Sequence, residues 1–264
     1  MFMLSHPPFT IYHYRSLGST NDRLKAMADA PEFTCVTADE QTAGRGRRER
    51  VWHSSPGDGL YLSVLLRPEL VANRIPLLSL MAAIVVAEAV KGMTNEGGRT
   101  SLEVDIKWPN DVLVNGRKLS GVLIESISAG GGALRVIVGI GVNLNHQTFP
   151  PELQETATSL ALECGWLFPV TSFRDALLDG FAVRYEELRG GDWRGILRRW
   201  QELSSYAAGK PIVAYLDQTE LRGETAGLTE TGALLVRTAD GQLRQIVAGE
   251  VNGLRPEGGK NQPL

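Results

Sequence analysis

Short segments of this chain carry residue types that could do chemistry. The densest is Gln41-Thr42-Ala43-Gly44-Arg45-Gly46-Arg47-Arg48-Glu49-Arg50, in which two glycines are interleaved with arginines. Glycine lets a backbone approach a ligand closely, and a guanidinium presents a planar fork of donors suited to phosphate or carboxylate. The segment could clamp a phosphorylated intermediate; a solvated basic loop and a nucleic-acid contact fit the same composition. Lys107-Trp108-Pro109-Asn110-Asp111 closes an apolar run that begins near Leu102. Pro109 interrupts regular pairing, so Lys107 reads either as a fixed charge at the end of a sheet or as a surface lysine, and Trp108 suits the core as well as a site. Gly139-Ile140-Gly141-Val142-Asn143 places two glycines in a strand without the third glycine and helix of a dinucleotide fingerprint. Close approach of a ligand and tight strand packing both fit it. Residues 51–63, with Trp52, run from a glycine-rich turn into a strand, a kind of junction that often carries function.

The elements that must position these segments follow from periodicity. Between residues 9 and 142, β-rich runs alternate with helical ones, which predicts a mixed α/β layer. Strands are expected at residues 9–15, 34–39, 59–66, 102–107, 112–114, 119–127 and 134–142, with helices at 21–29 and 75–91. Ser19 or Thr20 can cap the first helix, and Asn115-Gly116 is a two-residue hairpin turn. Apolar residues at helical spacing predict two amphipathic helices, at 173–188 and 193–203. After Gly209 short strands at 211–216, 221–228, 233–238 and 243–247 suit a small β-barrel, and residues 257–264 form a polar tail rich in Gly and Pro.

Composition narrows the classes of function. The net charge of -3, with 43% hydrophobic and 22% charged residues, carries no global signature of a nucleic-acid or membrane protein. The apolar window at 75–90 contains Pro76, Ser79 and Glu88 and falls short of the ~20 residues needed to cross a bilayer, so it reads as a buried helix. Cys35 and Cys164 lie far apart in apolar surroundings and read as buried thiols in a reducing cytoplasm, with no export signal before them. The four histidines, His6, His13, His53 and His146, lack metal-ligand spacing.

Taken together, Ser19-Thr20-Asn21, residues 41–50, residues 107–111, Arg117-Lys118-Leu119-Ser120-Gly121 and residues 139–143 resemble the biotin–protein ligase family in order and spacing. The resemblance covers residues 12–160 well and the C-terminal part more weakly. It implies an α/β (α+β) fold related to class II aminoacyl-tRNA synthetases and lipoyl ligases: a mixed sheet flanked by helices over residues 1–208, then an SH3-like barrel over 209–256. It further implies that ATP, with Mg²⁺, activates biotin to biotinyl-AMP, and that biotin passes to a lysine of the carrier domain of a biotin-dependent carboxylase.

By the same resemblance Lys107 and Arg47 are the catalytic cations. Ser19, Thr20, Asn21, Gln41, Gly44, Arg45, Gly46, Arg47, Lys107, Gly121, Leu123 and Gly139 would bind biotin. Arg45, Arg47, Trp52, Asn110, Lys118, Asn143 and Arg255 would bind the nucleotide, with residues 146–156 around the adenine and Asp111 a candidate Mg²⁺ ligand. Glu49 stands where the family often has glycine, which argues against a positive-φ turn there. Few residues precede the first strand, so no DNA-binding domain and no operator binding are expected; the family includes monomers and homodimers. The rival readings are a lipoyl or octanoyl ligase of the same fold, and a nucleic-acid or SH3-type module built on the arginine loop.

Overall fold

A computed structural model of the chain describes residues 1–95, 102–128, 134–216 and 219–253. The first half forms β1 (Phe2–His6), β2 (Phe9–Leu17), α1 (Thr20–Lys25), β3 (Thr34–Gln41), β4 (Gly59–Leu66), α2 (Leu77–Asn95), β5 (Val104–Lys107), β6 (Asp111–Val114), β7 (Arg117–Ser128) and β8 (Leu134–Asn143). Eight of these are strands of one sheet, in the order β1-β2-β3-β4-β8-β7-β6-β5. Strands β2 and β3 run parallel, which requires a crossover, and α1 supplies it. Ser19 caps α1 from an extended backbone, its hydroxyl accepting from the Asp22 N–H. The helix stops earlier than the expected 21–29, because the chain turns through Met27 N–H to Leu24 O and Ala30 N–H to Met27 O just ahead of Pro31.

Alternation along each strand gives the sheet two unlike faces. One face sends Leu60, Leu62, Val64 and Leu66 of β4, and Val136, Val138, Ile140 and Val142 of β8, into the main apolar core. There they meet α2, α4 (Val170–Arg189) and α5 (Trp193–Leu203), which follow the short α3 (Leu160–Cys164). Helix α2 is mostly apolar because most of it is enclosed between the sheet and α4 and α5, with Glu88 paired to Arg184 and Arg199 at the helix interface. The opposite face carries α1 and a smaller cluster of Leu24, Val36, Leu65 and Ile137, and beside it lies the cleft described below.

The C-terminal strands β9 (Ala208–Leu216), β10 (Thr219–Leu228), β11 (Leu234–Arg237), β12 (Leu243–Ile246) and β13 (Glu250–Gly253) form a second, antiparallel sheet in the order β12-β11-β10-β9-β13. Ile212, Ala214 and Val251 join the same core as the large sheet. Trp108 belongs to that junction: it is buried, and its indole N–H donates to Gly232 O at 2.9 Å. The β6–β7 hairpin turns through Asn115 at φ 49° and Gly116 at φ 76°, as its two-residue turn demands. Cys35 is buried, whereas Cys164, at the end of α3, is half-buried, contrary to the expectation that both are enclosed; neither forms a disulfide.

Candidate active site

The floor of the cleft is set by strand register. On the side away from α2, Tyr61, Gly141, Gly121, Asp111 and Lys107 stand in one cross-strand row over β4, β8, β7, β6 and β5. The next row holds Ser63, Gly139 and Leu123. Directly paired residues of antiparallel strands face the same way, so the glycines remove side chains from the middle of the rows and leave polar groups around them. The result is a cavity of about 230 Å³. The glycines let side chains from the rim pack down onto the floor: a Cβ at Gly139 would collide with the Asn21 side chain, and one at Gly141 would lie 2.5 Å from Trp52 Cε2.

One end of the cavity is a connected hydrogen-bond network. Thr20 donates from its backbone N–H to Gln41 Oε1 at 2.8 Å, and its hydroxyl lies 3.0 Å from the same oxygen. Ser63 Oγ lies 2.7 Å from Thr20 Oγ1 and 2.5 Å from Asn21 Oδ1. The Thr20 hydroxyl donates to Gln41 Oε1, and the single Ser63 proton serves the two acceptors Thr20 Oγ1 and Asn21 Oδ1. The Asn21 amide then donates to Glu125 Oε2 at 2.7 Å, while Lys25 holds Glu125 Oε1 at 2.6 Å. Ser19, Thr20 and Asn21 are all buried, because α1 presses its first turn against β4 and β8.

The other end is cationic. Lys107 is only 4% exposed and donates to Asn252 Oδ1 at 3.0 Å. Burial lowers its pKa and the Asp111 carboxylate opposes that shift. The surface-lysine reading therefore fails; Lys107 is a buried, oriented ammonium. Lys118 Nζ forms an ion pair with Asp111 Oδ1 at 2.8 Å, off the direction a hydrogen bond needs, and lies 5.7 Å from the centre of the Trp52 ring. Arg47 is half-buried, its pKa likewise lowered by desolvation, and its Nη1 lies 3.4 Å from Asn110 Oδ1. The Asn110 amide donates to Val122 O at 2.6 Å, which fixes the turn after Lys107.

The arginine loop closes one side through ion pairs. Arg45 makes a two-pronged contact with Asp22 at 2.6 and 2.5 Å, which lowers the Asp22 pKa and raises that of Arg45. Arg45 and Gly46 line the cavity, but this guanidinium is tied to α1. Arg50 grips Glu250 of β13. Contrary to the expectation at Glu49, the loop does take positive φ there, 58°, and at Arg48, 55°. Gly44 does not line the cavity: it packs beneath the loop, where a Cβ would sit 2.9 Å from Trp52 O and 3.1 Å from Gln41 Nε2. Asn143 lines the cavity with its amide engaged by Thr158 O at 3.1 Å, and so anchors the strap bearing Phe149 and Thr156. Leu123, Trp52, Asn110 and Lys118 line the cavity; Arg255 lies outside the described residues.

Ser63, Gly141, Glu125 and Asn252 join the site without having been singled out as site residues. A serine at the centre of the apolar β4 run, and the Gly-x-Gly spacing of β8, are the signals that point to the first two. Nothing local marks Asn252, which reaches Lys107 across 145 residues of sequence.

A groove on one face of a mixed sheet, leading from fixed hydrogen-bonding groups to buried cations under an arginine-rich loop, has the form of an acyl-activating ligase. Residues 14–143 match the biotin/lipoate A/B protein ligase family, and residues 208–252 match the biotin protein ligase C-terminal domain. The biotin–[acetyl-CoA-carboxylase] ligase of Paracoccus denitrificans is 35% identical over 87% of this chain and 94% of its own length. The bifunctional ligase/repressor BirA of Bacillus subtilis is 37% identical over 91% of the chain and 73% of its own length. The biotin protein ligase of Aquifex aeolicus, solved in complex with biotin and ATP, superposes with a TM-score of 0.79 at 29% identity, covering 93% of this chain and 99% of that one. The chain belongs to the biotin protein ligase family.

Proposed function

We propose that this ligase activates biotin with ATP and transfers it to a lysine of a biotin carboxyl carrier domain, in the cytoplasm, where both cysteines stay reduced. The observation that carries the reading is the register that sets Lys107 and Asp111 in line with Gly121 and Gly141, directly beside the Thr20–Ser63–Asn21 network. Residues 1–208 would form the catalytic unit and 209–256 the C-terminal unit.

The network offers donors and acceptors in fixed directions, as a ureido head group needs, and the glycine floor admits an aliphatic chain ending in a carboxylate near Lys107. Carboxylate and triphosphate repel one another, so the first barrier is electrostatic, and cations already desolvated and oriented lower it without reorganising. A carboxylate oxygen attacks the α-phosphorus, its bond to the bridging oxygen breaks, and pyrophosphate leaves. Lys107 neutralises the reacting oxygens and Arg47 the departing phosphates. Asp111 would be the carboxylate that holds Mg²⁺; among the described residues no group of three or more His, Cys, Asp or Glu is present, so the protein would hold the ion through little more than this one side chain. Bound there, Mg²⁺ would offset phosphate charge.

Trp52 and the loop that carries it exclude water from the resulting mixed anhydride. The carrier amine then attacks the anhydride carbonyl, AMP departs, and the amine loses a proton. The lipoyl reading gains no support from the C-terminal match or from the relatives above. A polyanion surface is disfavoured because Arg45 and Arg50 are paired and Arg47 is half-buried. The test is exchange of labelled pyrophosphate into ATP by the purified chain, with biotin, lipoate or octanoate. Exchange that depends on biotin supports the reading; exchange with lipoate alone overturns it.

A further inference from the structure

Lys107 is contributed by the large sheet, but the group that orients it comes from the second one. Strand β13 alternates: Val251 turns into the common core, 1% exposed, while on its other side Glu250 meets Arg50 of the arginine loop and Asn252 meets Lys107 of the large sheet. Pairing with β9, Asn252 opposite Val213 and Glu250 opposite Tyr215, fixes this orientation. An ammonium can only donate, so the Asn252 amide presents its oxygen to Lys107 Nζ, 3.0 Å away. The charged groups that bear on Lys107 are Asp111 of β6 and Glu250 of β13, which favour its charge, and Lys118 of β7 and Arg50 of the loop, which oppose it. Glu250 is itself engaged with Arg50, and Asp111 with Lys118.

The chemistry of the acceptor is what matters. A carboxylate at position 252 would orient the ammonium and also cancel its charge. An amide oxygen orients it and leaves it a full cation, with two N–H groups for ligand oxygens. Without any acceptor, a buried lysine would relax toward Asp111 or solvent. We propose that Asn252, carried by the C-terminal sheet, is a positioning residue for the activation step, holding Lys107 toward the reacting carboxylate and phosphate oxygens without neutralising it. The inference rests on the assignment of Lys107 to that step, and it makes the second sheet part of the activating machinery.

The test uses the full chain and biotin-dependent pyrophosphate exchange, with biotin affinity measured separately by calorimetry. Asn252→Ala should lower kcat about 10–100-fold, the range expected for loss of a hydrogen bond to a charged group, with biotin affinity changed less than about threefold. Asn252→Asp, nearly the same shape, should also lower kcat by about tenfold or more, because it keeps the contact and removes the net charge. Asn252→Ser should recover part of the alanine loss. In a Lys107→Ala background, Asn252→Ala should cost nothing further. Wild-type kcat in Asn252→Asp, or a full additive loss in the Lys107→Ala background, would overturn the proposal. Lys107→Ala with wild-type exchange would instead overturn the assignment of Lys107 itself.

Discussion

The two faces of the large sheet are made from the same strands and the same alternation, yet one is a core and the other an active site. On the core face β4 and β8 present Leu60, Leu62, Val138 and Ile140 to the core they share with α2 and α4. One residue out of step, on the cleft face, they present Tyr61, Ser63, Gly139 and Gly141. The core face is filled by large side chains, whereas the site is hollowed out by glycines and then rimmed with groups supplied by α1, the arginine loop and β13. The floor of the site thus shares its strands with the core, while its rim joins a helix, a loop and a strand through the Arg45–Asp22 and Arg50–Glu250 ion pairs.

Substitutions on either face should separate catalysis from stability. The largest effect expected is on the cleft face: Lys107→Ala should reduce biotin-dependent pyrophosphate release by about 10²–10³-fold, the usual cost of removing one oriented electrostatic group. The loss should be out of proportion to any loss of biotin affinity or thermal stability, which calorimetry and melting curves check. On the core face Leu62→Ala, at a fully buried position, should cost about 2–5 kcal/mol in denaturant unfolding. The kcat of the folded fraction should stay near wild type.

Gly139→Ala lies between the faces in kind. Its methyl group must displace the Asn21 side chain, so the KM for biotin should rise about tenfold, the scale of one disrupted hydrogen bond, with a smaller change in kcat. An unchanged KM would mean that the Asn21 network does not hold the ligand. The smallest effect is one of pH. Burial holds the Lys107 pKa below the ordinary lysine value of about 10.4, and the working form is the charged one, so exchange should fall as pH rises toward that lowered value. Lys107→Arg, charged throughout the range, should run slower and lack that alkaline decline.

Much of this plan was legible in the chain. The amphipathic periods located α4 and α5 within a few residues, Asn115-Gly116 announced its hairpin, and Ser19-Thr20 announced a cap that Ser19 makes, because each is a local rule acting on neighbouring residues. Strand β1 escaped because Met1, Phe2, Met3 and Leu4 are all exposed at a sheet edge and show no burial alternation. Strand β13 escaped because Gly249 and Gly253 dilute its pattern, and its strand character comes from pairing with β9. The cross-strand row from Tyr61 to Lys107 could not be read from the chain, since it depends on register between five strands, and neither could the Lys107–Asn252 contact. The family resemblance supplied what local rules could not: which of several plausible cationic segments belong together.

The most direct test of the account is the mass of an apo carrier domain after incubation with the purified chain, Mg-ATP and an equimolar mixture of biotin, lipoate and octanoate. The account predicts addition of a single biotinyl group to the carrier, lost in the Lys107→Ala variant. A carrier that gains a lipoyl or octanoyl group, or that is biotinylated at the wild-type rate by Lys107→Ala, would contradict it.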